Sequence, residues 1–193
     1  MRGPLLSGPL GSATTLDAVA KSLGAAASVV VIGPLWLGEV LSTRVRVLLL
    51  AEPEEKPRAR RAARRTAAAG QRLTVATAGV DLPLAIGGVE ALLVESASTL
   101  DAEALSRWMA TLVPVLRPGG RLLALDATDD PAVEARVAGL FLGSALGHIV
   151  QERPRDGVVL TVGTAPPAPV ISARYLLGGG TEPIAVSTAI ASD

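Results

Sequence analysis

Apolar residues along the chain fall into short runs rich in Val, Leu and Ile, separated by longer segments in which apolar positions recur every three or four residues. Short runs of this kind, bounded by Gly, Pro or charged residues, are typical of buried strands. The strands predicted on this basis cover residues 28–32, 45–50, 73–76, 89–94, 121–125, 148–152 and 158–162.

The segments between these runs have the period of an α-helix. Thr14 or Thr15 is a candidate N-cap for the first helix, and Gly70 suits the end of the third. The predicted helices cover residues 14–26, 37–42, 54–69, 101–116 and 131–146.

Strands that alternate with helices indicate a parallel sheet with helices on both faces. The last two runs are joined by RPRDG at residues 153–157, which suits a tight connection between antiparallel strands. The sequence therefore predicts an α/β fold with a doubly wound, mostly parallel, Rossmann-like sheet that ends in a C-terminal antiparallel hairpin.

The two ends of the chain are rich in Gly, Pro and small residues, unlike the middle. We expect residues 1–13 to form an N-terminal arm, residues 14–166 the folded domain, and residues 167–193 an extended C-terminal arm. The C-terminal arm carries Tyr175 and several aliphatic residues, which an extended peptide can place in the grooves of another surface. The expected partners are therefore other proteins, or further copies of this chain, bound through the arms.

Composition narrows the classes of function. The chain has 193 residues, 18 basic and 18 acidic groups, no cysteine and only 2% aromatic residues. This composition excludes a disulfide scaffold, a cysteine-ligated metal site and platforms for base stacking. The charge-free run at residues 22–38 is shorter than the ~20 apolar residues of a membrane span, and the first residues lack the apolar stretch of a secretory signal. We therefore expect a cytoplasmic protein without a membrane span.

The most concentrated charge lies on the predicted helix 54–69. At 100° per residue, its alanines fall on one side and its arginines on the other. Such a face is either solvated or a docking surface for an acidic protein or nucleic acid. Nucleic acid is the less expected partner, because the neutral total charge of the chain weakens long-range attraction. The arginines are Arg58, Arg60, Arg61, Arg64 and Arg65.

Residues 112–126 (LVPVLRPGGRLLALD) resemble class I S-adenosylmethionine-dependent methyltransferases at the point where a helix ends, a Pro-Gly-Gly turn follows and the fifth strand begins. The resemblance extends over residues 14–166 and implies the Rossmann-like fold of that family. Other segments similar to the family occur in the same order and at family-like intervals, at residues 81–84 with 89–94, 146–149 and 157–160.

The cofactor loop departs from this family. There, the first strand ends in an acidic residue and a G-x-G-x-G loop follows, because glycine lets the backbone approach the cofactor. Here residues 30–38 read VVIGPLWLG, with Val31 near the acidic position, and with Leu35 and Trp36 where small residues are expected. Ala78 stands where the family has an acidic residue for adenine. These departures predict that cofactor binding and catalysis are lost, and that the chain serves as an interaction or structural subunit.

The alternative is an active S-adenosylmethionine-dependent methyltransferase with a variant loop. Glu52 supports it, because it follows the second predicted strand 19 positions after Gly33, close to the spacing at which a carboxylate binds ribose hydroxyls. If Glu52 does not bind a ribose, we expect it to be a solvated residue at the start of the next helix. If cofactor binding is retained, the resemblance implies that Gly33, Gly38, Glu52 and Gly79 contact the cofactor.

The remaining candidates each have a structural interpretation beside the functional one. Glu95 and Asp126 close the fourth and fifth predicted strands, where they either take part in catalysis or cap a following helix. The resemblance places His148 where the family has a core aromatic residue, so it is expected to be a partly buried packing residue, with a base or a metal ligand as the alternative. Trp108 is expected to pack against its neighbours, whereas Trp36 either plugs the cofactor space or anchors an interface. No catalytic residue and no metal ligand is assigned.

Overall fold

A computed structural model describes residues 9–77 and 84–167; Ala78, Gly79 and Tyr175 lie outside these ranges. Strands and helices alternate in the order expected. The strands are β1 Ser28–Ile32, β2 Arg46–Ala51, β3 Leu73–Thr77, β4 Val89–Glu95, β5 Leu116–Ala127, β6 Gly147–Arg155 and β7 Val158–Thr164. The α-helices are α1 Ala13–Leu23, α2 Leu35–Leu41, α3 Lys56–Ala68, α4 Ala102–Leu112 and α5 Pro131–Gly143.

The described strands form one sheet in the order β3-β2-β1-β4-β5-β7-β6. β1 pairs in parallel with β2 and β4, and β3 and β5 extend the parallel part on either side. β7 runs antiparallel to both β5 and β6, and Gly157, with φ 73°, occupies the tight turn between β6 and β7. The predicted doubly wound α/β sheet with a C-terminal antiparallel hairpin is confirmed.

Alternate residues of each strand face opposite sides of the sheet, so the core has two layers. On one side, Val29 and Val31 of β1 pack in the same cluster as buried residues of α1, α2 and α3. On the other side, Val30 packs in the cluster that contains the apolar stripes of α4 and α5. Each stripe has helical spacing, as at Leu105 and Met109 of α4, because only one face of a surface helix meets the sheet.

The Pro-Gly-Gly segment at residues 118–120 lies within β5 and does not form the predicted turn before it. β5 pairs with β4 on both sides of this segment, and the register shifts after Val89. A Cβ atom on Gly120 would come within 2.8 Å of the Arg117 carbonyl oxygen and 2.9 Å of the Val89 carbonyl oxygen. Gly119 has φ 72°. Both glycines are therefore required by a bulge in β5.

The chain before α1 packs on the domain, which moves the boundary expected for the N-terminal arm. Leu10, in a short 3-10 turn at Pro9–Gly11, is 9% exposed and belongs to the core. Ser12, and neither Thr14 nor Thr15, caps α1, since its Oγ accepts a hydrogen bond from the Thr15 N–H at 3.2 Å. The folded part therefore starts earlier than predicted.

Several helices are shorter than predicted. α1 ends at Leu23, where Gly24 follows with φ 59°, and α4 ends at Leu112, where a 3-10 turn containing Pro114 takes over. Proline has no N–H to donate, so the α-helix does not continue through it. Within the described ranges, no helix has the length and apolar character needed to cross a membrane.

Candidate functional site

The five parallel strands end at one edge of the sheet, called here the carboxyl edge, and begin at the opposite amino edge. Open α/β sheets bind ligands at the carboxyl edge. Gly33 and Glu52 directly follow β1 and β2, and Glu95 and Asp126 lie at the ends of β4 and β5. These sequence-derived candidates are therefore brought to the same edge, while Gly79 and Tyr175 fall outside the described residues.

The turn between β1 and α2 is the central feature of this edge. Only Gly33 and Pro34 separate the two elements, since α2 starts at Leu35 and not at residue 37 as predicted. Leu35 and Leu37 are buried in the core, at 8% and 0% exposure, and the half-buried Trp36 packs against the same cluster. Trp36 was expected in a loop, and the structure corrects this: it is the second residue of α2.

Gly33 and Gly38 both lie where the chain packs closely on itself. A Cβ atom on Gly33 would come within 2.8 Å of the Glu95 Cβ, so the turn approaches the end of β4 closely. A Cβ atom on the buried Gly38 would lie 3.4 Å from Cδ1 of Leu49 and of Leu73, under the inner face of α2. Packing thus accounts for Gly33 without a ligand, and Gly38 faces the core at ordinary contact distance.

Glu52 is exposed and follows the last residue of β2. Its carbonyl oxygen accepts hydrogen bonds from the Glu55 N–H at 3.1 Å and the Lys56 N–H at 3.0 Å, which lead the chain into α3. Its carboxylate makes no hydrogen bond or ion pair with any residue in the described ranges. Glu52 is therefore a solvated carboxylate at the carboxyl edge, directly before α3.

The carboxylate of Asp126 is buried and hydrogen-bonded within the protein. It is 2% exposed, and its Oδ1 accepts a hydrogen bond from the Ser98 N–H at 2.6 Å. Burial raises the pKa of this carboxyl, while the bond from Ser98 and the nearby Arg136 guanidinium act in the opposite direction. Arg136 Nη2 in turn donates to the Ser98 carbonyl oxygen at 2.7 Å. Asp126 thus holds the preceding 3-10 turn, and the following helix is capped by Asp130.

His148 does not pack in the core as expected. It is exposed, has φ 48°, and follows the first residue of β6. Gly147 and Arg121 both pair with Thr164, so this end of β6 lies at the amino edge, away from Asp126.

Trp108 is half-buried in the cluster between α4 and the sheet, as expected.

The arginine face of α3 has the geometry that the helical spacing predicts. Ala59, Ala62 and Thr66 are buried against the sheet. Arg65 makes an ion pair with Glu39 at 3.1 Å. The other members of the face are exposed and make no ion pair within the described ranges: Arg58, Arg60, Arg61 and Arg64.

A cleft at the opposite edge of the sheet, here called the amino-edge cleft, has a volume of about 270 Å³ and lies where β1 and β2 begin. Its lining includes Ser42, Thr43 and the arginines Arg44, Arg46 and Arg72. Sequence analysis missed it, because residues 42–46 show no motif and Arg72 reaches them only through the pairing of β2 with β3. Among the described residues there is no group of three or more side chains suited to hold a metal ion.

No family model matches the chain, and no curated protein sequence is similar to it. Solved structures are similar in fold. An O-methyltransferase family protein from Burkholderia thailandensis is 16% identical with a TM-score of 0.63, over 80% of this chain and 57% of that chain. The S-adenosylmethionine-dependent methyltransferase SibL in its apo form is 15% identical with a TM-score of 0.64, over 80% of this chain and 55% of that one.

A chain from the complex between the Haloferax volcanii Trm112 methyltransferase activator and a methyltransferase is 18% identical, with a TM-score of 0.57, over 77% of this chain and 88% of that chain. By contrast, the present chain spans about half the length of the first structures it matches: it covers 57%, 49% and 55% of the first three of them. At these identities the comparisons establish the fold. The chain has a class I methyltransferase-like fold.

Proposed function

We propose that this chain is a methyltransferase-like domain that neither binds S-adenosylmethionine nor catalyses methyl transfer, and that acts as an interaction or structural subunit. The turn between β1 and α2 carries this proposal. Only Gly33 and Pro34 lie between strand and helix, and the residues that follow are anchored in the core.

This turn lacks the room and the donors of a cofactor loop. Pro34 has no N–H to offer to a ligand. Opening the turn would draw Leu35 and Leu37 out of the core, and exposing a buried leucine costs about 1.5–3 kcal/mol for each side chain. The residues present therefore do not fit the cofactor implied by the fold.

The carboxyl edge also offers no partner for acid–base catalysis among the described residues. Asp126 is held by the Ser98 N–H, and the Cβ of Glu95 lies against Gly33. His148 is at the other edge of the sheet. A general acid or base must reach the substrate and needs a group that orients it or shares its proton. Asp126 is oriented by Ser98 and lies near Arg136, but at 2% exposure it does not reach a substrate. Glu95 has no hydrogen-bond or ion-pair partner within the described ranges.

Two features support an interaction role. Four arginines of α3 are exposed and unpaired within the described ranges, so they offer charge to an acidic protein surface. The segments outside the described ranges supply apolar groups, among them Tyr175, for docking on a partner protein or on a second copy of this chain. The scarcity of aromatic residues favours a protein partner over nucleic acid.

An active methyltransferase is the second candidate function. Glu52 favours it, since an unpaired carboxylate stands at the carboxyl edge directly after β2. In that case Gly33 and Glu52, together with Gly79, would contact S-adenosylmethionine. Gly38 would not, because it is buried in α2 against Leu49 and Leu73.

Thermal unfolding of the full chain with and without ~1 mM S-adenosylhomocysteine separates the two candidates. A ligand present at 100 times its Kd stabilises the folded state by about 2.7 kcal/mol, which raises the Tm of a domain of this size by several degrees. We expect no shift. A shift of that size that disappears in Glu52→Gln would overturn the proposal and identify Glu52 as a ribose ligand.

A further inference from the structure

We propose that the amino-edge cleft binds the phosphate group of a small phosphorylated sugar or polyol. This site lies at the opposite edge of the sheet from the turn between β1 and α2. The inference therefore does not rest on the proposed loss of cofactor binding.

Three arginines reach the cleft from two connections that the sheet holds in place, the one between α2 and β2 and the one between α3 and β3. Arg44 lies between α2 and β2, Arg46 is the first residue of β2, and Arg72 immediately precedes β3. The Arg46 N–H donates to the Ala27 carbonyl oxygen at 3.3 Å, and the Arg72 carbonyl oxygen accepts from the Val47 N–H at 2.8 Å. Because both backbones are fixed in this way, less ordering is needed when an anion binds.

The charge of the cleft is not balanced by nearby carboxylates. Arg44 makes an ion pair with Asp17 at 2.9 Å, whereas Arg46 and Arg72 make none within the described ranges. Glu90 contacts the lining at Ala27, but it is itself paired with Arg117 at 2.9 Å. Two guanidinium charges remain, and they match the charge of about −1.5 to −2 that a phosphomonoester carries near neutral pH.

The hydrogen-bonding groups of the lining suit the same ligand. The Ser42 and Thr43 hydroxyls each donate to a backbone carbonyl oxygen at 2.7 Å, of Glu39 and of Val40. The guanidinium groups are therefore the donors left for an anion, and they match phosphate oxygens in a bidentate manner.

The hydroxyl oxygen of the exposed Thr43 still has lone pairs to accept hydrogen bonds, whereas Ser42 is 5% exposed and its Oγ also lies 3.3 Å from the Gln71 Oε1. The Thr43 oxygen suits a hydroxyl group of a sugar or polyol. The absence of aromatic side chains from the lining favours such a molecule over a nucleotide.

The test is a calorimetric titration of the full chain with glucose 6-phosphate at low ionic strength, beside glucose and inorganic phosphate. Arg46→Gln combined with Arg72→Gln removes the two unpaired charges. Arg60→Gln combined with Arg64→Gln removes the same charge from the outer face of α3 and is the matched control. Because all four side chains are exposed, both double variants are expected to remain folded, which their thermal unfolding verifies.

We expect one saturable site for glucose 6-phosphate, weaker binding of inorganic phosphate and no binding of glucose. The cleft variant should weaken binding of glucose 6-phosphate by at least about tenfold, as expected when charge-assisted hydrogen bonds are lost. The α3 variant should leave it unchanged. Equal weakening in the two double variants would show a general charge effect and overturn the proposal.

Failure of glucose 6-phosphate to bind at about 10 mM, a concentration that detects even weak sites, would also overturn the proposal. Inorganic phosphate that binds as tightly as the sugar phosphate would contradict the role given to Thr43. Arg72→Lys keeps the charge and loses the planar fork. It should bind with an affinity between those of the wild type and the cleft variant.

Discussion

Glu90 shows how one carboxylate stabilises the start of a buried strand. Its Oε2 accepts hydrogen bonds from the Ala27 N–H at 2.6 Å and the Ser28 N–H at 3.0 Å, where β1 begins. Its Oε1 lies 2.9 Å from the Arg117 guanidinium. The bond from the Ser28 backbone, with the Ala27 bond and Arg117, holds the pKa of Glu90 below its ordinary value of 4.5. This residue therefore links β1 to β4 at the amino edge.

Glu90→Ala is expected to lower the free energy of unfolding by about 1–2 kcal/mol near pH 7, because a charged hydrogen-bond acceptor is lost. A carboxyl group whose pKa is lowered in the folded state stabilises that state at pH values above its unfolded pKa. This contribution disappears as the pH falls through the folded pKa. The difference between wild type and variant should therefore shrink below pH 4.5. Urea unfolding at pH 7 and under acid conditions measures it.

Glu103→Ala is the matched control, since its side chain is 84% exposed and 3.9 Å from Arg107. It should change stability by no more than about 0.5 kcal/mol at either pH. A loss for Glu90→Ala that stays the same at acid pH would contradict the electrostatic role of Glu90.

The contribution of Asp126 to stability is expected to depend on pH in the opposite direction from that of Glu90. Burial raises the pKa of its carboxyl, so the folded state binds the proton more tightly and loses stability as pH rises from the unfolded value through the raised one. Asp126→Asn removes the buried charge and keeps an oxygen that can accept from the Ser98 N–H. Its free energy of unfolding at pH 7 should lie within about 1 kcal/mol of wild type or above it. A much larger loss would show that the charge is needed opposite Arg136.

At the scale of elements, the alternation of short apolar runs with helical segments predicts which strands exist better than it predicts where they end. β1 is predicted to the residue, because a β-branched run is stopped by Gly33 and Pro34. The bulge in β5 depends on pairing with β4, which no local pattern reveals. The start of α2 at Leu35 has no capping motif, because its N-cap is Pro34, whose side chain accepts no hydrogen bond.

The outer face of α3 is expected to tolerate reversal of charge. Arg60→Glu with Arg64→Glu should leave the Tm nearly unchanged, because exposed substitutions cost within about 0.5 kcal/mol each. Ala62→Leu on the buried side of the same helix should instead destabilise by about 1–3 kcal/mol through overpacking. Thermal unfolding compares the two. A large fall for the arginine variant would mean that this face is covered, and loss of a bound partner by a folded variant would support docking.

At the scale of the molecule, the sequence predicts which residues share an edge but not what they contact. Parallel strands bring Gly33, Glu52 and Asp126 to one edge by topology alone. The bond between Asp126 and the Ser98 N–H links positions 28 apart, and its partner is fixed only when β4 and β5 pair. The sequence interpretation of His148 was wrong because the register of the hairpin leaves this residue exposed.

The C-terminal arm is expected to be dispensable for folding and required for association. β7 ends at Thr164, and within the described ranges the last backbone hydrogen bonds join Ala165 to Gly119 and Gly120. A chain ending at Pro166 should therefore have the Tm of the full chain and elute as a monomer, while the full chain elutes as an assembly. Light scattering coupled to size-exclusion chromatography measures both masses. Failure of the shortened chain to fold would show that the arm packs on its own domain.

The most direct test of the account is a calorimetric titration of the full chain with S-adenosylhomocysteine. The turn at Gly33 and Pro34, followed by the buried Leu35, predicts only the heat of dilution up to millimolar concentrations, which correspond to binding weaker than about 4 kcal/mol. A saturable isotherm with one site and a micromolar Kd, weakened in Glu52→Gln, would contradict it.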